Sequence, residues 1–302
     1  MKNSLHLPYK GDPSDILQYF PKYNLQIHCC RYWWLERWEY RELSFPYWRI
    51  YYNNKKGAFI TSGDKTIELL PNKIYLIAPN TSYSTHLFNH KIPTKGYDLK
   101  GGRITSEYQS TNSMTSLYID HLYIHFNIGF PYDNISPGIL TFDISTHLMN
   151  KINIITKHLG IDNKEFSFST LLTIQSLIID LLAEVNTKQW ELPTGNHHIL
   201  ESLNFIENNI GNHLSNHTLS EKCRLATNTF TRLFKQETGM SPQNYVRQKR
   251  IDNACILLHH SDESMDEIAI RTGFTNRYHF TRIFKQVTGI SPAKYRKEFK
   301  IN

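Results

Sequence analysis

Two periodicities divide the chain. In its first 140 or so residues, apolar and polar positions alternate in short runs, the period of strands. Trp48-Arg-Ile-Tyr-Tyr, Gly57-Ala-Phe-Ile-Thr, Thr66-Ile-Glu-Leu-Leu, Lys73-Ile-Tyr-Leu-Ile-Ala and His121-Leu-Tyr-Ile-His-Phe-Asn-Ile read this way, and Asn53-Asn54, Gly63-Asp64 and Pro71-Asn72 punctuate them as turns. Many short strands with close turns predict a small barrel or sandwich. The segment Leu87 to Ser116, rich in Lys, Gly, Ser and Thr, reads as a long loop.

From Asp143 the spacing becomes helical. Asp143 to Leu159 and Phe166 to Val185 are predicted helices. The second is apolar over more than one face, so it is expected to cover the barrel with one side and a partner subunit with the other. Trp190 to Asn196, with Pro193 and Gly195, reads as a linker, and helical spacing resumes at His198 to Ile210.

The last hundred residues contain a repeat. Phe230 to Tyr245 (FTRLFKQETGMSPQNY) and Phe280 to Tyr295 (FTRIFKQVTGISPAKY) are offset by fifty residues and agree at eleven of sixteen positions. One structural unit therefore occurs twice. In the second copy, Met265 to Thr272 forms a short helix that Gly273 stops. Thr275 is an N-cap candidate for a helix from about Asn276 to Val287, with Phe280, Ile283, Phe284 and Val287 as its core stripe. The first copy runs Leu219 to Arg224, then about Asn228 to Glu237. Where the second copy has Gly273 the first has Arg224, and a left-handed arginine costs about 1 kcal/mol. Pro242 to His259 reads as one helix joining the copies, about 25 Å long. Helix, tight turn, then a helix with one apolar and one polar-basic face is the helix-turn-helix pattern. Two such units on one face of DNA could enter successive major-groove segments, about 34 Å apart.

IAIRTGFTNRYHFTRIFKQVTGISPAKYR (Ile268 to Arg296), preceded by RQKRIDNACILL (Arg247 to Leu258), resembles the AraC/XylS family of bacterial transcription regulators over about one hundred residues. The resemblance implies base contacts from the exposed face of each second helix. By position these are Asn228, Thr231 and Arg232, then Arg277, Tyr278, His279 and Arg282, with Lys235 and Lys285 on phosphates. It also implies a cupin-like sensor barrel in the N-terminal half, activation through RNA polymerase, and double-stranded DNA as the partner.

Charge supports this division. The net charge is +7, and residues 197–302 hold 15 Lys and Arg against 10 Asp and Glu, which suits a polyanion. No run of eighteen apolar residues exists, and the first residues do not read as a signal peptide. Cys29, Cys30, Cys223 and Cys255 show no CxxC or paired spacing, so neither a disulfide framework nor a zinc site is expected, and the setting is expected to be cytoplasmic.

Candidate chemistry in the N-terminal half is thin. Its dense aromatic residues suit a sugar or another small polar ligand and equally suit an ordinary core. His28, Trp48, Arg49 and Tyr51 are the candidate effector contacts. His121 and His125 share a strand face, where local hydrogen bonding is commoner than metal binding; no catalytic constellation, metal site or cofactor is expected.

The expected architecture is α+β: a cupin-like β-barrel with two helices, then an all-α domain with two helix-turn-helix motifs joined by a linker helix. The expected boundaries are 1–187 for ligand sensing and dimerisation, 188–197 for the linker and 198–302 for DNA binding. The expected function is a homodimeric regulator controlled by a small-molecule effector, with no membrane contact. Two alternatives remain open: an N-terminal domain that only dimerises, and a metal-binding cupin enzyme fused to a DNA-binding module.

Overall fold

The computed structural model describes residues 23–104, 118–159, 165–190 and 194–299. Nine strands form one antiparallel sheet: β1 (Gln26–Leu43), β2 (Trp48–Asn53), β3 (Ala58–Ser62), β4 (Lys65–Leu69), β5 (Lys73–Ile77), β6 (Tyr83–Leu87), β7 (Asp98–Arg103), β8 (Ile119–Asn127) and β9 (Ile139–Asp143). Their order is β4-β3-β6-β1-β8-β2-β5-β9, with β7 also paired to β1. The sheet curls into a half-barrel, the cupin-like arrangement expected from the sequence.

The predicted turns sit where the register needs them. Ser62 pairs with Lys65, so Gly63-Asp64 is a two-residue hairpin loop, and Gly63 takes the positive φ of 57° that such a loop requires. Strand β1 carries no simple two-residue alternation because it serves three partners. Residues 26–35 pair with β8, residues 33–39 with β7 and residues 40–43 with β6, and the register shifts within each pairing. Such bulges re-aim side chains and blur the sequence signal. The expected long loop from Leu87 to Ser116 is therefore corrected: its middle is strand β7, held on β1, and its residues 105–116 lie outside the described residues.

The sheet has two apolar faces. Trp48, Ile50, Ile74, Leu76, Leu122, Ile124 and Phe126 point outward and are covered by α1 (Thr146–Leu159) and α2 (Phe168–Ala183) through Ile152, Ile155, Ile174, Leu177, Ile178 and Leu181. Lys151 of α1 locks the helix pair, donating to Asp180 and Ser176 of α2 at 2.6 Å each. A short 3-10 turn, Thr187–Trp190, follows, and residues 191–193 of the expected linker lie outside the described residues.

The remaining helices are α3 (His197–Asn208), α4 (Asn216–Lys222), α5 (Thr227–Thr238), α6 (Pro242–His260), α7 (Met265–Arg271), α8 (Arg277–Thr288) and α9 (Pro292–Phe299). They form two cores. Leu203, Ile206, Leu219, Phe230, Phe234 and Val246 make one around α4 and α5. Ile251, Leu258, Ile268, Phe280, Phe284 and Tyr295 make the other, which is continuous with the inner face of the sheet through Tyr47, Tyr51 and Tyr123. The concave side of the half-barrel is thus closed by the end of α6 and by α9: Phe299 lies 5.4 Å from Phe45 edge-on, and the Tyr47 hydroxyl lies 2.6 Å from His259 Nδ1.

Candidate nucleic-acid interface

Each repeat folds as helix, turn, helix: α4 with α5, and α7 with α8. The hydrogen bonds that close the two turns correspond at an offset of 49, not fifty. The amides of Cys223, Arg224 and Leu225 reach the carbonyls of Leu219, Glu221 and Ser220, and those of Thr272, Gly273 and Phe274 reach Ile268, Ile270 and Ala269. Arg224 therefore stands where Gly273 does, and both are left-handed, with φ of 52° and 81°. The register becomes fifty at the second helix because Thr275 is an inserted residue. That insertion also decides the caps. Asn276, not Thr275, caps α8 by accepting from the His279 amide at 2.9 Å, whereas Ala226 caps α5 with no side-chain bond.

Helix α6 is 19 residues long, or about 28 Å, and it begins with Pro242 in its first turn behind the cap Ser241. It spans the space between the two units. Both second helices end at a left-handed glycine, Gly239 at 76° and Gly289 at 81°.

On α5, Asn228, Arg232 and Lys235 are exposed; Thr231 is half-buried and donates its hydroxyl to the Thr227 carbonyl at 2.8 Å. On α8, Arg277, Arg282 and Lys285 are exposed, and Tyr278 is 86% exposed. His279 is half-buried, its ring 3.3 Å from the Thr275 hydroxyl and edge-on to Phe274. Val287, expected in the core stripe, is 37% exposed, so the stripe is Phe280, Ile283 and Phe284. The structure also brings residues to this face that the repeat alone did not mark. Arg247 of α6 and Gln286 of α8 line a groove with His279 and Arg282. Arg250, in the same groove, is committed to structure, since its guanidinium donates to the carbonyls of Ile210 and Asn212 at 3.2 and 2.7 Å. Arg247 was legible only once α6 and α8 were packed together.

The four candidate effector contacts do not converge. Trp48 points outward beneath the helices and donates to Asp133 Oδ1 at 3.0 Å. Arg49, two positions from Tyr51, points inward. Its guanidinium donates to the Tyr83 hydroxyl at 2.7 Å and lies 5.0 Å over the Phe45 ring. Tyr51 shares its hydroxyl with Tyr83 at 2.7 Å. His28 sits at the seam with α6, donating to Asn127 Oδ1 at 2.7 Å and stacking on His260. Trp33, Trp38, Tyr51, His121 and Phe299 line a partly open pocket of about 60 Å³. There His121 donates from Nδ1 to Asn53 Oδ1 at 2.6 Å, and burial lowers its pKa to about 3.

Two exposed polar-basic helices on a rigid tether, each seated in a helix-turn-helix, define a DNA-binding transcription regulator. A family model described as a helix-turn-helix domain matches residues 219–298. The chain is 25% identical over 254 residues to the transcriptional activator RhaS of Mannheimia succiniciproducens, covering 76% of this chain and 90% of that protein. It is 36% identical over 77 residues to RhaS of Citrobacter koseri, a match confined to 26% of this chain and 28% of that protein. A solved structure of an apo variant of ToxT from Vibrio cholerae has the same fold, with a TM-score of 0.51 at 10% identity over 90% of this chain and 97% of that one. The family match and the RhaS matches together make residues 219–298 a helix-turn-helix domain similar to that of AraC-type transcription regulators. Among the described residues, no helix is long and apolar enough to cross a membrane.

Proposed function

We propose that this chain activates transcription as a homodimer, reading DNA with α5 and α8 under the control of a small molecule bound inside the half-barrel. The observation that carries the reading is the placement of the two exposed faces. Asn228, Arg232 and Lys235 on one helix and Arg277, Tyr278, Arg282 and Lys285 on the other are joined by one continuous helix of 19 residues. Arginine, asparagine, threonine and histidine read base edges, and Lys235 and Lys285 hold phosphates. Activation is the role in the names of the RhaS relatives. The working division is 1–187 for sensing and pairing, 188–197 for the linker and 198–302 for DNA.

The packing supports control by an effector. The pocket is walled by the sheet on one side and by His259 and Phe299 of the DNA-binding half on the other. A ligand that fills it acts on the seam and shifts the population of two arrangements. Its aromatic lining, with the polar tips of Tyr51, Tyr123 and His121, suits a small ring-shaped ligand such as a sugar. Pairing of two subunits is assigned to the outer helices, where Ile154, Leu172 and Ile179 are exposed and Phe168 is 74% exposed.

The test is recovery of protein-bound genomic DNA, then binding of the recovered site over a range of salt. A discrete site with two short elements about one helical turn apart is expected. Arg232→Ala should weaken recognition at one element and Arg282→Ala at the other, each by about 1–3 kcal/mol. Equal binding to any DNA, lost steeply with salt, would mean that the basic surface is only electrostatic and would end the reading.

A further inference from the structure

At the seam between the sheet and the last turn of α6, three side chains from distant parts of the chain converge. Cys29 of β1, His125 of β8 and His260 of α6 each place a ligand atom within 4.8 Å of the other two. Cys29 and His125 are cross-strand partners, and the bulge between Ile27 and Cys29 sets an extra residue, His28, beside them. His28 stacks on His260 at 5.3 Å, and His259 stacks on His260 at 4.3 Å.

The hydrogen bonding of this cluster is incomplete. Both ring nitrogens of His260 and Nδ1 of His125 are buried with no partner. A buried polar atom left unpaired costs about 1–3 kcal/mol, and an ion taking one nitrogen from each ring would relieve two of the three.

We infer that Cys29, His125 and His260 form a binding site for a transition-metal ion of zinc's class, pinning the sheet to the end of the linker helix. One sulfur and two imidazoles suit zinc or cobalt and do not suit magnesium or calcium. With metal–sulfur near 2.3 Å and metal–nitrogen near 2.1 Å, tetrahedral ligands stand about 3.6 Å apart, so no pair here, all within 4.8 Å, need close by more than about 1.2 Å. The fourth position is open to water or to a neighbour. His28 has Nε2 engaged with Asn127, and His259 has Nδ1 engaged with Tyr47, which leaves each ring one further nitrogen. Because α6 carries both helix-turn-helix units, the ion would fix the second unit against the sheet. Only that consequence rests on the DNA-binding reading; the site itself does not.

The test uses the full chain, stripped with a chelator and titrated with Co²⁺ as a visible probe, then with Zn²⁺ in competition. One Co²⁺ per chain is expected, with tetrahedral ligand-field bands and a sulfur-to-cobalt charge-transfer band. Cys29→Ser should abolish the charge-transfer band, and His260→Gln should abolish stoichiometric binding, with circular dichroism unchanged in both. His197, His198 and Glu201 form an exposed cluster that serves as the control, and His198→Gln should change nothing. The inference is overturned by a folded wild type that takes up no stoichiometric metal, by a charge-transfer band that survives Cys29→Ser, or by loss of the ion in His198→Gln. Operator binding with and without Zn²⁺ is the separate arm. A change in affinity supports the pinning of α6, and equal affinity removes that consequence while the site stands.

Discussion

The two helix-turn-helix units are near copies in sequence, yet they are built into the molecule differently. The first, α4 with α5, has its own core, and the N-terminal half reaches it mainly through Phe130 and polar contacts such as Lys249 to Asn134 at 2.8 Å. The second, α7 with α8, shares one core with the inside of the half-barrel. The second is also better terminated. Its first helix begins with a capping box of Ser264 and Glu267, its turn has Gly273 at the left-handed position, and its second helix is capped by Asn276. The first has a Ser215 cap, a left-handed Arg224 and the bare Ala226. The unit that shares a core with the half-barrel is the one with the firmer local structure, while the unit that stands apart carries the strain.

That contrast can be broken at its strongest point. Phe280→Ala should cost about 3–5 kcal/mol, and the loss should appear in the same thermal transition as the fluorescence of Trp33 and Trp38, because the core is shared. Phe230→Ala should cost a similar amount but give a separate, earlier transition in which those tryptophans do not take part. A single common transition for both variants would show that the two cores are one.

The turns offer a smaller test. A Cβ at Gly273 would stand 2.7 Å from the Ile210 carbonyl oxygen and 2.8 Å from Arg250 Cζ. Gly273→Ala should therefore destabilise by about 2–3 kcal/mol in chemical denaturation. At the equivalent place, Arg224→Gly should raise stability by up to about 1 kcal/mol, since the arginine is exposed and strained. The caps come last. Asn276→Ala should cost about 1 kcal/mol and Ala226→Asn should return about as much to the first unit, read as opposite shifts in the denaturation midpoint.

The repeat, the paired helices, the connecting helix and the left-handed Arg224 were legible in the sequence because they are local. Helix period, glycine stops and caps act within a few residues. The inserted Thr275 was not, since an offset of fifty fits the second helices and hides the 49 that holds before them. Strand β1 was missed for a related reason: three partners and three register shifts leave no single alternation to read. The exposed polar residues of α5 and α8 were legible one by one, but Arg247 joined their groove only through packing.

By itself the sequence determined where the helices run, the short strands with clean alternation (β2 to β5 and β8), that one unit occurs twice, and which side of each second helix faces outward. Those properties follow from periodicity and short-range sterics. The tertiary structure alone decided that the second unit closes the half-barrel, that Trp48 and Tyr51 of one strand face opposite cores, and that Cys29, His125 and His260 meet. Their meeting depends on a strand pairing across 96 residues and on a helix end docking from the other half of the chain, and neither leaves a mark in the spacing of the residues.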